Sequence, residues 1–138
     1  MNTYLSYKFE GASGVGAGLA VVAGTNPGGC NLPGGANAKG FLGITSDSLL
    51  AAEQNMPVSV VRMGCRIAAV ASGAITHGHW VNIANASGQV QDCEAAVNAA
   101  PGTAAQVNVI GKAETDAVNA GDQVYITIEE FVVQIAAS

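Results

Sequence analysis

Ile75-Thr76-His77-Gly78-His79-Trp80-Val81-Asn82-Ile83 and Val118-Asn119-Ala120-Gly121-Asp122-Gln123-Val124-Tyr125-Ile126 share one pattern: an apolar residue, a glycine three positions later, then Val-x-Ile. Val15-Gly16-Ala17-Gly18-Leu19-Ala20-Val21-Val22 repeats it loosely, and Asn55-Met56-Pro57-Val58-Ser59-Val60 does so with proline at the turn. Glycine supplies the positive φ that a tight turn demands. The alternation that follows places every second side chain on one face of a strand. A turn feeding a strand, used again and again, predicts an all-β fold.

Working outward, strands are expected over 19–23, 40–45, 81–84, 89–91, 107–113 and 124–128, where apolar and β-branched residues alternate or cluster. Residues 58–70 offer two strands or one bent strand, with Gly64 at the bend. Asn85-Ala86-Ser87-Gly88 reads as a hairpin turn. Glu129-Glu130 is expected to punctuate the last alternating run, with Phe131-Val132-Val133-Gln134-Ile135 returning. Residues 24–37 are crowded with glycine and proline and read as a long loop, 48–55 as a helical turn or an extended connector, and 93–106 as an irregular excursion. Leu42-Gly43 stands ahead of Val58-Ser59-Val60 much as Ile110-Gly111 stands ahead of Val124-Tyr125-Ile126, which suggests two related halves. Uneven glycine spacing argues against a fixed-period solenoid or propeller, so a small β-barrel or β-sandwich with long Gly/Pro-rich loops is expected.

Residues 1–10 hold Tyr4, Tyr7 and Phe9, and a glycine-rich joint follows over 11–18. The expected organisation is a flexible N-terminal arm over 1–13 and a single domain over 14–138. The three aromatics are candidate intersubunit contacts; the alternative is that they pack on the protein's own core.

Of the 138 residues, 49% are hydrophobic but only 11% charged and 5% aromatic. About a quarter of residues are charged in an ordinary soluble domain, so much of this exterior is expected to face other subunits. The net charge of −5 and the scatter of Lys8, Lys39, Arg62, Arg66 and Lys112 argue against nucleic acid as a partner. No apolar run approaches the roughly 18–20 residues that cross a bilayer, so no membrane partner is expected. Residues 1–10 lack the basic and apolar regions of a signal peptide, and manufacture without export is expected. Cys30, Cys65 and Cys93 are odd in number and widely spaced, which suits free thiols in a reducing compartment.

Two histidines, His77 and His79, are the candidate ligands or acid–base groups. They flank Gly78 where Ala120 and Asp122 flank Gly121, so turn chemistry accounts for them, and neither a metal nor a cofactor is expected. No nucleophile elbow, phosphate loop or dinucleotide fingerprint is present; Gly14-Val15-Gly16-Ala17-Gly18 lacks the glycine spacing and the helix of the last. Glu129 and Glu130 are adjacent, so on a regular strand they point to opposite faces and do not form a catalytic pair. An enzyme is not expected.

Leu42-Gly43-Ile44-Thr45, Gly78-x-x-Val81, Ser87-Gly88, Ile110-Gly111-Lys112-Ala113 and Ala120-Gly121-Asp122-x-Val124-Tyr125-Ile126 together resemble the capsid cement, or head-decoration, proteins of tailed bacteriophages. The likeness runs from about residue 14 to 128. It implies a small β-domain on the outer capsid surface of the virion, often a homotrimer, that clamps neighbouring major capsid proteins and is assembled in the host cytoplasm. His79 departs from the pattern, and residues 24–37 and 131–138 are additions to it. No catalytic residues carry over. The competing expectation is a receptor- or glycan-binding β-domain of a virion fibre, which would want exposed aromatics, whereas Trp80 is the one tryptophan and falls in an expected strand.

Overall fold

The computed structural model describes residues 4–50, 56–61, 64–98 and 106–134. Strands β1 (Tyr4–Phe9), β2 (Ala20–Ala23), β3 (Gly29–Asn31), β4 (Phe41–Thr45) and β5 (Pro57–Val61) form a closed barrel in the order β1-β3-β2-β4-β5. Strands β6 (Arg66–Val70), β7 (Trp80–Ile83), β8 (Val90–Asp92), β9 (Gln106–Ala113) and β10 (Gln123–Gln134) form a second sheet in the order β6-β10-β9-β7-β8. A single helical turn, α1 (Glu94–Val97), follows β8. The all-β expectation holds, with barrel and open sheet both present.

The glycine pattern is the device that starts the strands. Gly18, Gly64, Gly78 and Gly121 each stand two residues before a strand, with φ between +80° and +90°. At each, the glycine N–H donates to the carbonyl of a residue on another segment, and that residue's N–H donates back to the carbonyl after the glycine. The partners are Thr45, Ile128, Ala113 and Ala71 respectively, all buried. A Cβ is strained at such φ values, which is why the chain uses glycine there. Of the four stretches predicted, three are realised; the fourth copy lies at Gly64 rather than at residues 55–60, of which 55 lies outside the described residues.

Two copies interlock. Residues 71–78 and 113–121 run antiparallel: Ala71 pairs with the Gly121 turn, Ala113 pairs with the Gly78 turn, and Ile75 and Ala117 exchange two hydrogen bonds of 2.9 Å at their midpoints. Val15 and Leu49 exchange the equivalent pair beside the Gly18–Thr45 turn in the barrel.

Period-two alternation separates the packing layers. Ala20 and Val61 face the core shared with the second sheet, while Val21 and Val60 fill the barrel with Phe9, Cys30 and Val58. β5 is thus buried on both faces, which explains why Val58-Ser59-Val60-Val61 reads as nearly continuous rather than alternating. The shared core takes Ile44 and Phe41 from the barrel and Ile75, Val81, Ile83, Ile110, Val124, Ile126 and Ile128 from the other side. A third, smaller layer lies where Cys93, Val107 and Val109 meet Trp80, Val97 and Phe131.

Several expectations need correction. Residues 4–9, expected as a flexible arm, form β1: five register pairs join it to β5 and two join it to β3, closing the barrel. Residues 24–37 are not wholly loop, because Gly29–Asn31 form the short strand β3 between β1 and β2. The Glu10 carboxylate accepts the N–H groups of Thr25 and Asn26 at 2.8 and 3.0 Å and lies against Gly24 and Gly29, filling the space a larger residue would take. The last run does not turn back at Glu129-Glu130. It continues along β9 past a bulge between Ile128 and Phe131. Residues 58–70 are two strands in different sheets, hinged at Gly64. The connector over 48–55 lies outside the described residues beyond 50.

The related halves meet in one feature. A Cβ at Gly43 would sit 2.5 Å from the Val61 carbonyl oxygen, and one at Gly111 would sit 2.6 Å from that of Thr127, so both glycines let a neighbouring strand approach closely. Gly111→Ala is therefore predicted to destabilise the fold by about 1–3 kcal/mol. Gly34→Ala, with nothing within 4 Å of the added carbon, is predicted to change it by less than about 0.5 kcal/mol. Denaturant titration checks both, and equal effects would contradict the close approach. Deleting residues 2–10 is predicted to abolish cooperative unfolding, read by circular dichroism, because it removes a barrel strand.

Candidate functional site

Of the three aromatics expected at an intersubunit surface, Phe9 is only 1% exposed inside the barrel, so its side chain is a core residue of its own subunit. Tyr7 is half-buried against the same cluster. Tyr4 pairs through its backbone with Val61. The structure therefore places these residues in the barrel wall, with Leu5, 43% exposed, presenting apolar surface between them.

The histidines act as turn braces. Asp116 accepts the His77 N–H at 2.7 Å and lies 2.9 Å from its Nδ1, while Asp92 accepts the Thr76 N–H at 3.2 Å and lies 2.7 Å from His79 Nδ1. Two carboxylates from separate segments so clamp residues 76–79, the loop that carries Gly78. Asp122 does the same for its own turn, accepting the N–H groups of Val118 and Asn119 at 3.0 and 2.9 Å. Backbone N–H donation from His77 and its imidazole hold Asp116 below the usual carboxylate range, and N–H groups of Asn119 and Val118 do so for Asp122. For Asp92 burial works in the opposite direction, but bonds from the Glu94 N–H, His79 and the Thr76 N–H outweigh it and lower its pKa. Among the described residues no group of three or more His, Cys, Asp or Glu is placed to hold a metal ion.

The three cysteine side chains are buried and none is joined in a disulfide. Burial, with Glu10 nearby, pushes Cys30 up to about 11. Burial, with Asp92 and Glu94 nearby, pushes Cys93 up to about 12. At neutral pH both are protonated packing groups rather than nucleophiles.

Asn37 joins the barrel side to the sheet, and sequence reading missed it because it sits in a glycine-rich loop with no periodic signal. It adopts a left-handed φ of 57°, its Nδ2 donates to the Gln106 carbonyl at 2.6 Å, and its Oδ1 accepts from the Asn108 N–H at 2.7 Å and from Asn82 Nδ2 at 3.2 Å. Asn82, 3% exposed, in turn accepts from Gln91 Nε2 at 3.0 Å. A groove of about 660 Å³ lies beside this junction, floored by Ala23, Phe41, Leu42, Val109 and Phe131.

The second sheet's outer face carries a cross-strand row. Register pairs set Trp80 beside Lys112, Lys112 beside Thr127, and Thr127 beside Arg66. Lys112 Nζ lies 5.2 Å from the Trp80 ring centroid, and the Arg66 guanidinium lies 5.0 Å from that of Tyr125. Phe131 packs edge-on to Trp80 at 4.8 Å, so Trp80 is a covered ring rather than an open platform. Tyr125 is 42% exposed. Thr127 donates its hydroxyl to Glu114 at 2.7 Å.

With this geometry in hand, one solved structure is informative. The head fiber gp8.5 N base of bacteriophage phi29 superposes with a TM-score of 0.58, covering 94% of this chain and 95% of that chain at 14% identity. The likeness establishes a shared fold. No family model and no curated protein matches the sequence. The shared fold extends over nearly the whole of both chains, so barrel and second sheet belong to it together.

Two predictions follow from the braces and the amide junction. Asp92, Asp116 and Asp122 have folded-state pKa values below their unfolded ones, so the stability they supply is complete above the unfolded carboxylate range and lost as pH falls through the folded values. The thermal midpoint is predicted to drop as pH is lowered from about 5 towards 2, and Asp92→Asn with Asp116→Asn to flatten that drop. Asn37→Gly, which keeps the backbone conformation but strands the Asn82 and Asn108 donors, is predicted to cost about 1–3 kcal/mol by denaturant titration.

Proposed function

We propose that this chain is a structural protein of a phage virion, seated on the outer capsid surface, where it stabilises contacts between major capsid proteins. The observation that carries the reading is the near-complete fold likeness to a head fiber base. The resemblance to head-decoration proteins rests on separate ground, the turn and strand motifs of the sequence. The ionisable groups support it as well: Glu10, Asp92, Asp116 and Asp122 are committed to backbone turns, and the thiols of Cys30 and Cys93 are protonated. We read the protein as a binding module and not an enzyme.

The mechanism is mass action. A subunit that binds only the assembled shell adds its binding free energy to the stability of that state. Many symmetry-related copies turn a modest interface into a strong one, and self-association, as a homotrimer, raises the effective concentration further. The net charge of −5 suits an outward position better than one against packaged DNA. The glycan-binding reading is favoured by one observation, that the similar structure is part of a fibre. It is disfavoured by Trp80, whose ring is covered by Lys112 and Phe131.

Co-sedimentation with expanded, DNA-free heads checks the proposal. Saturable binding to expanded heads, absent with dispersed major capsid protein, is the expected result. Failure to bind heads, with retention on cell-surface glycans, would overturn it in favour of the fibre reading.

A further inference from the structure

Building on the head-surface reading above, we infer that the chain is a two-site clamp. Leu50 and Val118, at equivalent positions of two repeated halves, each dock in an apolar pocket on a separate copy of the same shell protein.

Residues 4–61 and 66–128 are built alike. The first half has the strand order β1-β3-β2-β4-β5, and the second, followed round through the parallel Ala71–Val90 bridge directly after β6, runs β6-β8-β7-β9-β10. Neighbours agree in direction throughout: parallel where the first strand of each half meets the third, antiparallel elsewhere. Single hydrogen bonds repeat as well. The Glu10 N–H donates to the Cys30 carbonyl at 2.9 Å, and the Ser72 N–H to the Val90 carbonyl at 2.8 Å. Gly18 donates to Thr45 as Gly78 does to Ala113, and Val15 and Leu49 exchange two bonds as Ile75 and Ala117 do. One unit is therefore present twice.

In each unit the residue after that exchange is an exposed aliphatic. Leu50 follows Leu49 and is 73% exposed, and Val118 follows Ala117 and is 72% exposed. They are the two most exposed large hydrophobic residues among the described residues. One such residue alone on a surface is ordinary. Here the position is aliphatic twice, although the residues leading to it differ, Ile44-Thr45-Ser46-Asp47-Ser48 in one half and Lys112-Ala113-Glu114-Thr115-Asp116 in the other. The core does not call for it, because a side chain left in water gains nothing from burial. A contact made twice with something outside the chain does.

Both side chains sit on fixed backbone. Leu49 and Val15 are joined at 2.8 and 3.0 Å, Ala117 and Ile75 at 2.9 Å, and the Val118 N–H itself donates to Asp122 at 3.0 Å. Little loop entropy is lost when such a tip docks. The carboxylates beside the two positions are engaged with their own turns: Asp47 accepts the Ser59 N–H at 3.1 Å, and Asp116 accepts the His77 N–H at 2.7 Å. An aliphatic tip with a polar rim suits an apolar pocket in a protein, and it offers neither the ring that stacks on a sugar nor the cation that meets a phosphate. Two equal tips on one chain suit two equal pockets, which neighbouring copies of one shell protein supply. Once the first is filled, the second contact is intramolecular, and the two shell subunits are held together.

The experiment measures co-sedimentation of wild type, Leu50→Ser, Val118→Ser and the double variant with expanded, DNA-free heads lacking this protein. Circular dichroism and thermal melts establish that each variant is folded, as expected for substitutions at exposed positions. Each single variant is expected to bind at least about tenfold more weakly, through loss of the intramolecular second contact, and the double variant to lose saturable binding. Wild-type affinity in either folded single variant, or in the double variant, would overturn the two-site clamp while leaving the head-surface reading intact. Absence of wild-type binding to heads would instead overturn that reading, and the clamp with it.

Discussion

Ile75 and Ala117 exchange two backbone hydrogen bonds at the point where residues 71–78 and 113–121 cross. Around that point the first residue of each loop is bonded to the glycine turn of the other, so neither loop can leave without opening both. Buried backbone groups must find partners, and here the partner of each irregular segment is another irregular segment. The carboxylates of Asp92 and Asp116 reinforce the arrangement from outside by clamping residues 76–79. β7 and β10 start directly from these turns, and β6 and β9 run into them. The relative placement of four strands, and with it the outer face they build, depends on this crossing.

The same device appears where the sheet and the barrel meet. Gly64 lets the chain leave β5 and begin β6 in the other sheet, and Gly18 ties the start of β2 to Thr45. The Thr45 hydroxyl, fully buried, completes this turn by accepting the Leu19 N–H and donating to the Gly16 carbonyl. Repetition of one local solution in four places explains how a chain with few aromatics holds the ten strands of its described residues in two sheets. Small residues permit close strands, and valine and isoleucine fill three thin layers instead of one thick core.

Much of this was legible in the sequence because the turn glycines and the alternation after them are local. The strands around Gly78 and Gly121, the hairpin at Asn85–Gly88 and the hinge at Gly64 follow from residues within a few positions of each other. What was not legible depends on partners far away in the chain. Nothing near Tyr4, Tyr7 and Phe9 announces that β5, some fifty residues on, will pair with them and close a barrel. Gly29-Cys30-Asn31 becomes a strand only because β1 and β2 lie on either side of it, and Glu129-Glu130 reads as a stop only until β9 is there to carry the strand past a bulge. The cross-strand row on the second sheet is hidden in the sequence for the same reason: Arg66, Trp80, Lys112 and Tyr125 look scattered until register puts them on adjacent strands. The histidines stand where the repeated motif has turn residues, and their Nδ1 atoms lie against the carboxylates of Asp116 and Asp92 that hold the same turn.

Native-state hydrogen exchange tests the central claim, that the crossed loops are the keystone of the fold. The amides of Ile75, Gly78, Ala113, Ala117 and Gly121 should exchange only with global unfolding, at the same free energy as Val124 and Ile126 in the middle of β10. Exchange at those five positions through local opening, well ahead of the β10 amides, would contradict it.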